Sequence, residues 1–307
     1  MDFSSLIPLF ESCGCTVTEY VPLSALTTFK VGGPARLLVD VPLTAAASLS
    51  PALSACQTAG IRTFWLGRGS NLLCADQGLD AVVLRLEQDS GINVEDGRLL
   101  SCGAGETLTA LCRTAQKCGL TGLEFAFGIP GSVGGAVFMN GGAFGGEMKD
   151  VLESVDVLTP DGKVKHQTAA MLDLSYRHSK LMETGDAVLT ATFKLTPGDP
   201  AAILDTMNDI SARRRDKQPL EYPSAGSFFK RPAGSFAGKL IEDCGLKGFA
   251  VGDAQISEKH AGFVINRGNA TCADIKALAK AVHDIVLEKT GFELRPEVRL
   301  LGDEWGF

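Results

Sequence analysis

Three short stretches place chemically capable residues in unusual company. In SAGSFFKRP, residues 224–232, Ser227 follows small residues and precedes two phenylalanines. A serine beside apolar rings can donate a proton in a dry site. No G-x-S-x-G surrounds it, which argues against an α/β-hydrolase nucleophile. On these residues alone a turn serine is the simpler reading. In LSYRHSK, residues 174–180, Tyr176, Arg177, His178 and Lys180 make a basic cluster in an acidic chain. Arginine binds carboxylates with two parallel hydrogen bonds, so the cluster suits an anionic substrate. On these residues alone a solvated loop, with the arginine stem lying along the surface, is the better reading. In LRPEVRL, residues 294–300, Glu297 lies in an apolar, strand-like run beside Pro296. A buried carboxylate needs a partner or a proton. Arg295 or Arg299 could be that partner, so an ion pair and a catalytic acid are equally good readings.

Two glycine-rich stretches offer backbone rather than side chains. GRGSNLL, residues 67–73, directly follows an apolar strand. Its glycines let the main chain approach a ligand, and amides exposed there would cradle an anion. An ordinary strand-exit turn is the competing reading. GIPGSVGGAVFMNGGAFGGE, residues 128–147, is dense in glycine and carries one charge, at Glu147. A flexible linker would carry serines and charges instead of Ile129, Val133, Val137, Phe138 and Met139. The apolar residues suggest a buried wrap around a large ligand such as a diphosphate, whose charge amides can neutralise without lysines. Close packing of backbones is the alternative. The spacing is not G-x-G-x-x-G after a first strand, which disfavours a Rossmann site. G-x-x-x-x-G-K-[ST] is absent as well.

Alternating short strands and helices must position these residues. RLLVDVP (36–42), TFWLG (63–67) and AVVLRL (81–86) read as strands, with a helix over 45–60 that Pro51 breaks or restarts. In ETLTALCRTAQKCG, Leu108, Leu111, Cys112 and Ala115 share one helical face, and Gly119 stops the helix. VLESVDVLTPDGKVKHQ is a strand pair turning at Asp161-Gly162, and AVLTATFK another strand. Asp199-Pro200 opens a helix with Ile203, Leu204, Met207 and Ile210 at helical spacing, ending in the cationic RRRDK. SFAGKLIEDCG is a short helix; FAVGDAQIS and AGFVINRG are strands. Thr271 and Asp274 form a capping box for a helix that runs through Lys289 to Gly291. ELRPEVRLLG is an edge or irregular strand, because it contains a proline.

Composition narrows the class. The 307 residues suggest about two domains. The 29 basic and 36 acidic side chains give a charge of −7, which disfavours a nucleic acid partner. Nine cysteines without C-x-x-C and four scattered histidines make a metal site improbable and suit buried free thiols in a reducing cytoplasm. The N-terminus carries Asp2 and Glu11 and no basic n-region, unlike a signal peptide. No run of about 20 apolar residues suggests a membrane span.

The candidate stretches occur together and in order, and the chain resembles the UDP-N-acetylenolpyruvoylglucosamine reductase (MurB) family. The matching stretches are TTFKVGGPARLLV, WLGRGSNLL, GLEFAFGIPGSVGGAVFMNGGAFGGE, LSYRHSKL, AGSFFKRP, AGKLIEDCGLKGF, SEKHAGFVIN and LRPEVRLLG, spread over residues 27–302. The compact run between Tyr176 and Ser227 resembles the shorter, type II form. The resemblance implies an α+β fold: a flavin-binding unit of the PCMH/vanillyl-alcohol-oxidase type in two subdomains (1–86 and 87–198), then a substrate domain (199–307) whose last strand, about 292–302, returns to the flavin site. It implies non-covalent FAD, with NADPH as co-substrate. It implies hydride transfer from flavin N5 to UDP-N-acetylglucosamine enolpyruvate, giving UDP-N-acetylmuramate for peptidoglycan synthesis.

Site residues carry over by motif. Ser227 matches the proton donor, Arg177 the carboxylate-binding arginine, and Glu297 the glutamate that stabilises the enolate or orients Arg177. FAD would be held by Gly67, Arg68, Gly69, Ser70, Asn71 and Leu72, and by Gly128, Ile129, Pro130, Gly131, Ser132, Gly134, Gly135, Ala136, Asn140, Gly141 and Gly142. Tyr176, Arg214, Lys217 and Lys230 are expected contacts for the substrate's sugar and diphosphate. Thr28 stands where the family more often has Asn, and Arg231 where some members have Asn. Another flavin oxidoreductase of the same fold, acting on a different small substrate, is the alternative; a non-catalytic flavin or UDP-sugar sensor is a second. GDEWGF, residues 302–307, has no role that the sequence discloses.

Overall fold

The computed structural model describes residues 3–88 and 91–307. Asp2, one of the N-terminal acids noted above, lies outside them. The chain is α+β and divides into two compact units. Met1–Glu19, Leu37–Arg68 and Ala81–Arg213 form the first; Tyr20–Arg36, Gly69–Asp80 and Arg214–Phe307 form the second. One crossing, after Arg68, falls inside GRGSNLL. Another, after Arg213, falls inside the helix Pro200–Lys217.

The first unit is built on two cores. One lies on a five-stranded antiparallel sheet in the order Val164–Thr168, Leu152–Leu158, Ala187–Lys194, Leu99–Gly103, Asn93–Glu95. The helix Leu108–Lys117 buries Leu108, Leu111, Cys112 and Ala115 against it, as the spacing predicts. Its first turn is capped by the Thr107 hydroxyl, which accepts the Ala110 N–H at 3.1 Å. Helix Pro200–Lys217 begins at the expected proline and buries Ile203, Met207 and Ile210, but Leu204 is exposed. The i, i+4, i+7 positions make the apolar stripe, and Leu204 lies beside it.

The other core gathers Phe3, Leu6 and Phe10 with Leu37, Val39, Leu49, Leu53, Val82 and Leu84. Its four-stranded sheet runs Thr16–Pro22, Pro34–Val41, Leu79–Leu86, Thr63–Trp65, the last pair being parallel with Phe64 opposite Val83. The helix expected over 45–60 is split. A 3₁₀ segment, Leu43–Ser48, precedes the α-helix Ser50–Thr58, which restarts at Pro51. Proline has no N–H to give and fits only a first turn.

The second unit pairs its strands antiparallel in the order Ser224–Ser227, Phe263–Asn266, Ala254–Ile256, Ala250–Val251. FAVGDAQIS is therefore a tight hairpin rather than one strand. Gly252, with φ +55°, makes its turn. The helices Ala237–Asp243 and Cys272–Thr290 supply the rest of the core. The capping box at Thr271 and Asp274 and the left-handed Gly291 are formed as expected. Asp76 adds a second cap, accepting the Cys272 and Ala273 N–H groups at 2.8 and 3.0 Å. In ELRPEVRLLG only Arg299–Leu301 is a strand, parallel to Leu72–Cys74. Pro296 leaves the preceding residues a single bridge to Phe229.

Candidate active site

The first unit brings the glycine stretches together with the Arg177 turn. The Ser132 hydroxyl accepts the Gly135 N–H at 3.3 Å and starts the short helix Val133–Phe138. Val133 and Gly134 donate to the carbonyls of Glu106 (2.8 Å) and Ala104 (2.9 Å), so the loop is stitched to the end of strand Leu99–Gly103. A Cβ on Gly134 would meet Ala104 Cβ at 2.9 Å, and one on Gly67 would meet Ser132 Oγ at 2.5 Å. Gly67 at the strand exit is thus packed on the start of the second glycine stretch. Close packing explains these glycines, as it does Gly142 and Gly146. Gly128, Pro130 and Gly135 instead stand exposed, while Ile129 and Phe138 lie half-buried against the core. This open, side-chain-poor surface, edged by apolar groups and backbone, fits a flat ring and a diphosphate, so the residues present suit FAD.

Arg177 occupies a strained turn. Ser175 and His178 exchange both backbone hydrogen bonds (3.1 and 3.2 Å), and Arg177 has φ +53°. The left-handed region costs a non-glycine residue roughly 1 kcal/mol or more, and such strain is retained where surroundings fix it. Here the surroundings are the glycine loop. Arg177 Nη2 donates to the Gly142 carbonyl at 3.0 Å and Nη1 to the Asn140 carbonyl at 3.4 Å. Its guanidinium lies 5.2 Å from the Tyr176 ring centre, and Tyr176 is exposed.

Asn140 is fully buried and also left-handed, with φ +42°. Its Nδ2 donates to Glu147 Oε2 and to the Ser175 carbonyl, both at 2.9 Å, while Oδ1 accepts the Lys149 N–H at 2.9 Å. Buried Ser179 donates to the Phe138 carbonyl at 2.6 Å. Asn140 and Ser179 therefore tie the turn that carries Arg177 to the glycine loop. Sequence reasoning missed Ser179 and the tie made by Asn140. The available signal was a lone amide, Asn140, and a lone acid, Glu147, in an otherwise apolar stretch.

The second unit brings together Ser227, Glu297 and the rest of GRGSNLL. Strand Ser224–Ser227 slips register against Phe263–Asn266 between Ser224 and Ser227, where Gly226 has φ +78°. Such a bulge re-aims a side chain. Ser227 is exposed, whereas Phe228 and Phe229 are buried. Phe228 donates to the Gly262 carbonyl and accepts the Glu297 N–H, both at 2.8 Å. Asn71 holds the same segment: its Nδ2 donates to the Glu297 carbonyl at 3.1 Å, and its carbonyl accepts the Arg299 N–H at 3.0 Å. The Thr28 hydroxyl donates to the Ser224 carbonyl at 2.7 Å, and the Thr28 N–H to the Gly69 carbonyl at 3.2 Å. Gly69 itself is packed, since a Cβ there would lie 2.2 Å from the Leu26 carbonyl oxygen.

The cationic candidates differ. Lys230 is exposed and joined to the Glu297 segment through its N–H, which donates to the Arg295 carbonyl at 2.8 Å. Lys217 is exposed at the end of its helix. Arg214 is buried, and burial pushes its guanidinium below the ordinary arginine value. Arg295, one of the two partners expected for Glu297, instead pairs with Glu293 at 2.9 Å on the surface. The terminal aromatics, which the sequence left without a role, pack in this unit. Trp305 meets Phe228 edge-on at 5.5 Å, and Phe307 lies 4.9 Å from His283. Among the described residues no group of three or more His, Cys, Asp or Glu is arranged to hold a metal ion, and no helix is long and apolar enough to cross a membrane.

Both regions match known protein families. Residues 39–168 match the FAD binding domain, and residues 218–301 match the C-terminal domain of UDP-N-acetylenolpyruvoylglucosamine reductase. The reductase of that name from Agathobacter rectalis is 47% identical over 294 residues, covering 92% of this chain and 93% of its own length. The one from Lachnoclostridium phytofermentans is 48% identical, with 94% of each chain covered. The crystal structure of UDP-N-acetylenolpyruvylglucosamine reductase (MurB) from Thermus caldophilus superimposes with a TM-score of 0.79 at 37% identity, over 94% of this chain and 99% of that one. Fold, flavin-binding region and C-terminal domain agree in this, and the chain belongs to the UDP-N-acetylenolpyruvoylglucosamine reductase family of FAD-binding oxidoreductases.

Proposed function

We propose that the protein reduces UDP-N-acetylglucosamine enolpyruvate to UDP-N-acetylmuramate with NADPH, as a cytoplasmic step in the supply of peptidoglycan precursors. FAD, when bound, supplies a hydride carrier between the two substrates. The glycine surface of the first unit, Gly128 to Gly142 with Gly67, holds it, joined by Gly69 to Leu72.

Arg177 binds the enolpyruvyl carboxylate. Charge builds on this group and the neighbouring carbon as the double bond is reduced, so a fixed guanidinium acts most strongly when it is most needed. The bonds to Gly142 and Asn140 fix it beforehand. Ser227 gives its hydroxyl proton to that carbon. A serine is a weak acid, and only a strongly basic enolate accepts its proton; general acid catalysis of this kind contributes about 10²–10⁴-fold. Glu297 supports the same charge, donating a hydrogen bond if protonated and orienting cationic groups if ionised. Tyr176, Arg214, Lys217 and Lys230 contact sugar and diphosphate. Buried Arg214 is the most preorganised of these cations, since burial strengthens its pull on a phosphate.

The observation that carries this reading is the shared anchorage of Ser227 and Glu297: the carbonyl of Phe228, next to Ser227, accepts the Glu297 N–H at 2.8 Å. One hydrogen bond thus ties the main chain beside Ser227 to that of the chain-distant Glu297. The alternative substrate class is not favoured, because the family match extends over residues 218–301 as well as 39–168.

An anaerobic titration tests the proposal. NADPH should bleach the flavin band of the wild-type protein, and UDP-N-acetylglucosamine enolpyruvate should restore it rapidly. Ser227→Ala should bleach normally and recover about 10²–10⁴-fold more slowly. Bleaching without recovery in the wild type would exclude this substrate. Equal slowing of both halves in Ser227→Ala would exclude the proton-donor role.

A further inference from the structure

We propose that residues 302–307, GDEWGF, are a positioning element for the proton donor. Trp305 holds the strand that presents Ser227, and Phe307, acting through His283, holds the run that presents Glu297. The inference rests on the reading of Ser227 as proton donor.

The segment is fixed at its start. Gly302, with φ +83°, turns the chain where a Cβ would strike Leu79 Cδ2 at 2.6 Å. Asp303 then pairs with Lys276 of helix Cys272–Thr290 at 2.6 Å and accepts the Glu304 N–H at 2.7 Å. These anchors deliver two half-buried aromatic rings. Trp305 stands edge-on to Phe228 with ring centres 5.5 Å apart, and Phe29 and Phe229 flank Phe228 at 6.5 and 5.0 Å. Phe228 is thereby boxed by three rings. Phe307 lies 4.9 Å from the ring of His283, whose Nδ1 donates to the Leu294 carbonyl at 2.9 Å, three residues before Glu297.

Ser227 needs such a brace. It sits at a strand end, past a bulge at Gly226 whose left-handed glycine restricts the chain least. The next residue, Phe228, fixes the local main chain: its N–H donates to the Gly262 carbonyl, and its carbonyl accepts the N–H groups of Glu297 and Val298. Displacing the Phe228 ring therefore moves Ser227 and Glu297 together. A misplacement of about 1 Å at a reacting group can cost about a hundredfold in rate. The family match ends at residue 301, so the brace lies outside the matched domain while acting on residues inside it.

The test uses Trp305→Ala, Trp305→Phe and Ser227→Ala in the full chain. In Trp305→Ala, bleaching by NADPH should stay within about twofold of wild type, and recovery with the enolpyruvyl substrate should slow roughly 10- to 100-fold. The solvent deuterium isotope effect on recovery should rise, because proton delivery then limits the rate. Trp305→Phe, which keeps an edge-on ring, should restore recovery to within about threefold. Hydrogen exchange supplies a readout that needs no turnover. The Phe228 and Glu297 amides should exchange at least about tenfold faster in Trp305→Ala, also in cofactor-free protein, with helix Cys272–Thr290 unchanged. If Trp305→Ala does not fold, Trp305→Leu takes its place with the same expectations. Unchanged recovery, unchanged exchange at these two amides, or parallel slowing of both half-reactions would overturn the inference. Normal recovery in Ser227→Ala would overturn the underlying proton-donor reading instead.

Discussion

Arg177 shows how much of a functional group's value lies in its surroundings. Its type and its neighbours Tyr176 and His178 were visible in the sequence, but on those residues alone a solvated loop was the better reading. What the sequence could not show is the left-handed backbone at φ +53° or the two carbonyls that hold the guanidinium fork. A lysine in its place would keep the charge and lose the fork, since an ammonium cannot bond two carbonyls and a carboxylate in fixed directions. Arg177→Lys should slow recovery with the enolpyruvyl substrate about 10²–10³-fold. Thermal stability should fall only modestly, because lysine bears the same backbone strain and the substitution loses two hydrogen bonds worth about 0.5–1.5 kcal/mol each. Stopped-flow recovery and a melting curve on one sample decide this; a slowing of less than about fivefold would remove Arg177 from the site.

Among the elements, legibility followed burial. The Leu108–Lys117 helix was readable because one face is wholly buried and Gly119, with φ +64°, marks its end. Strand Thr16–Pro22 was not read, because its residues are largely exposed and carry no apolar alternation. The hairpin within FAVGDAQIS was missed because a short apolar run looks the same whether or not it turns.

The loop around His260 carries a pH dependence that periodicity could not reveal. His260 Nδ1 accepts the Gly262 N–H at 3.1 Å, so the ring must be neutral there, and the Gly262 carbonyl in turn holds Phe228. Burial pushes His260 below its ordinary value of 6.5, Lys247 adds to this, and its own backbone bond and Glu242 oppose it. A histidine that prefers to be neutral when folded takes up its proton more readily when unfolded. Its contribution to stability is full above about pH 6.5 and is lost as the pH falls through the lowered folded value. The wild-type melting temperature should therefore drop further between pH 7.5 and 5.5 than that of His260→Gln. Equal drops would show that this ring is not responsible.

At the scale of the whole molecule, the lesson is interleaving. Composition suggested two domains, and the motifs suggested segments laid end to end. The second unit instead includes Tyr20–Arg36 and Gly69–Asp80, and its core contains Phe29, Val31 and Leu73 beside residues from 225 to 298. No local pattern announces such a return, because each strand satisfies its own pattern wherever it is placed. Residues 199–307 expressed alone would lack those three buried side chains and the Asp76 cap on helix Cys272–Thr290. Losing large buried groups costs about 2–5 kcal/mol each, which exceeds what a fragment of this size can spare. The fragment should show weak near-ultraviolet circular dichroism and no sharp melting transition; a cooperative melt would show the segment to be autonomous.

The cysteines have a use of their own. All nine are free; Cys118 is exposed at the end of helix Leu108–Lys117, Cys13 is half-buried, and the rest are buried. Burial pushes the thiols of Cys74, Cys102 and Cys112 up to about 12, which keeps them protonated and inert as well as hidden. The native molecule thus offers maleimide dyes one ready handle, already placed on the first unit and needing no engineering. A colorimetric thiol count should find about one fast-reacting group per chain in buffer and nine in denaturant, so the reagent doubles as a gauge of unfolding.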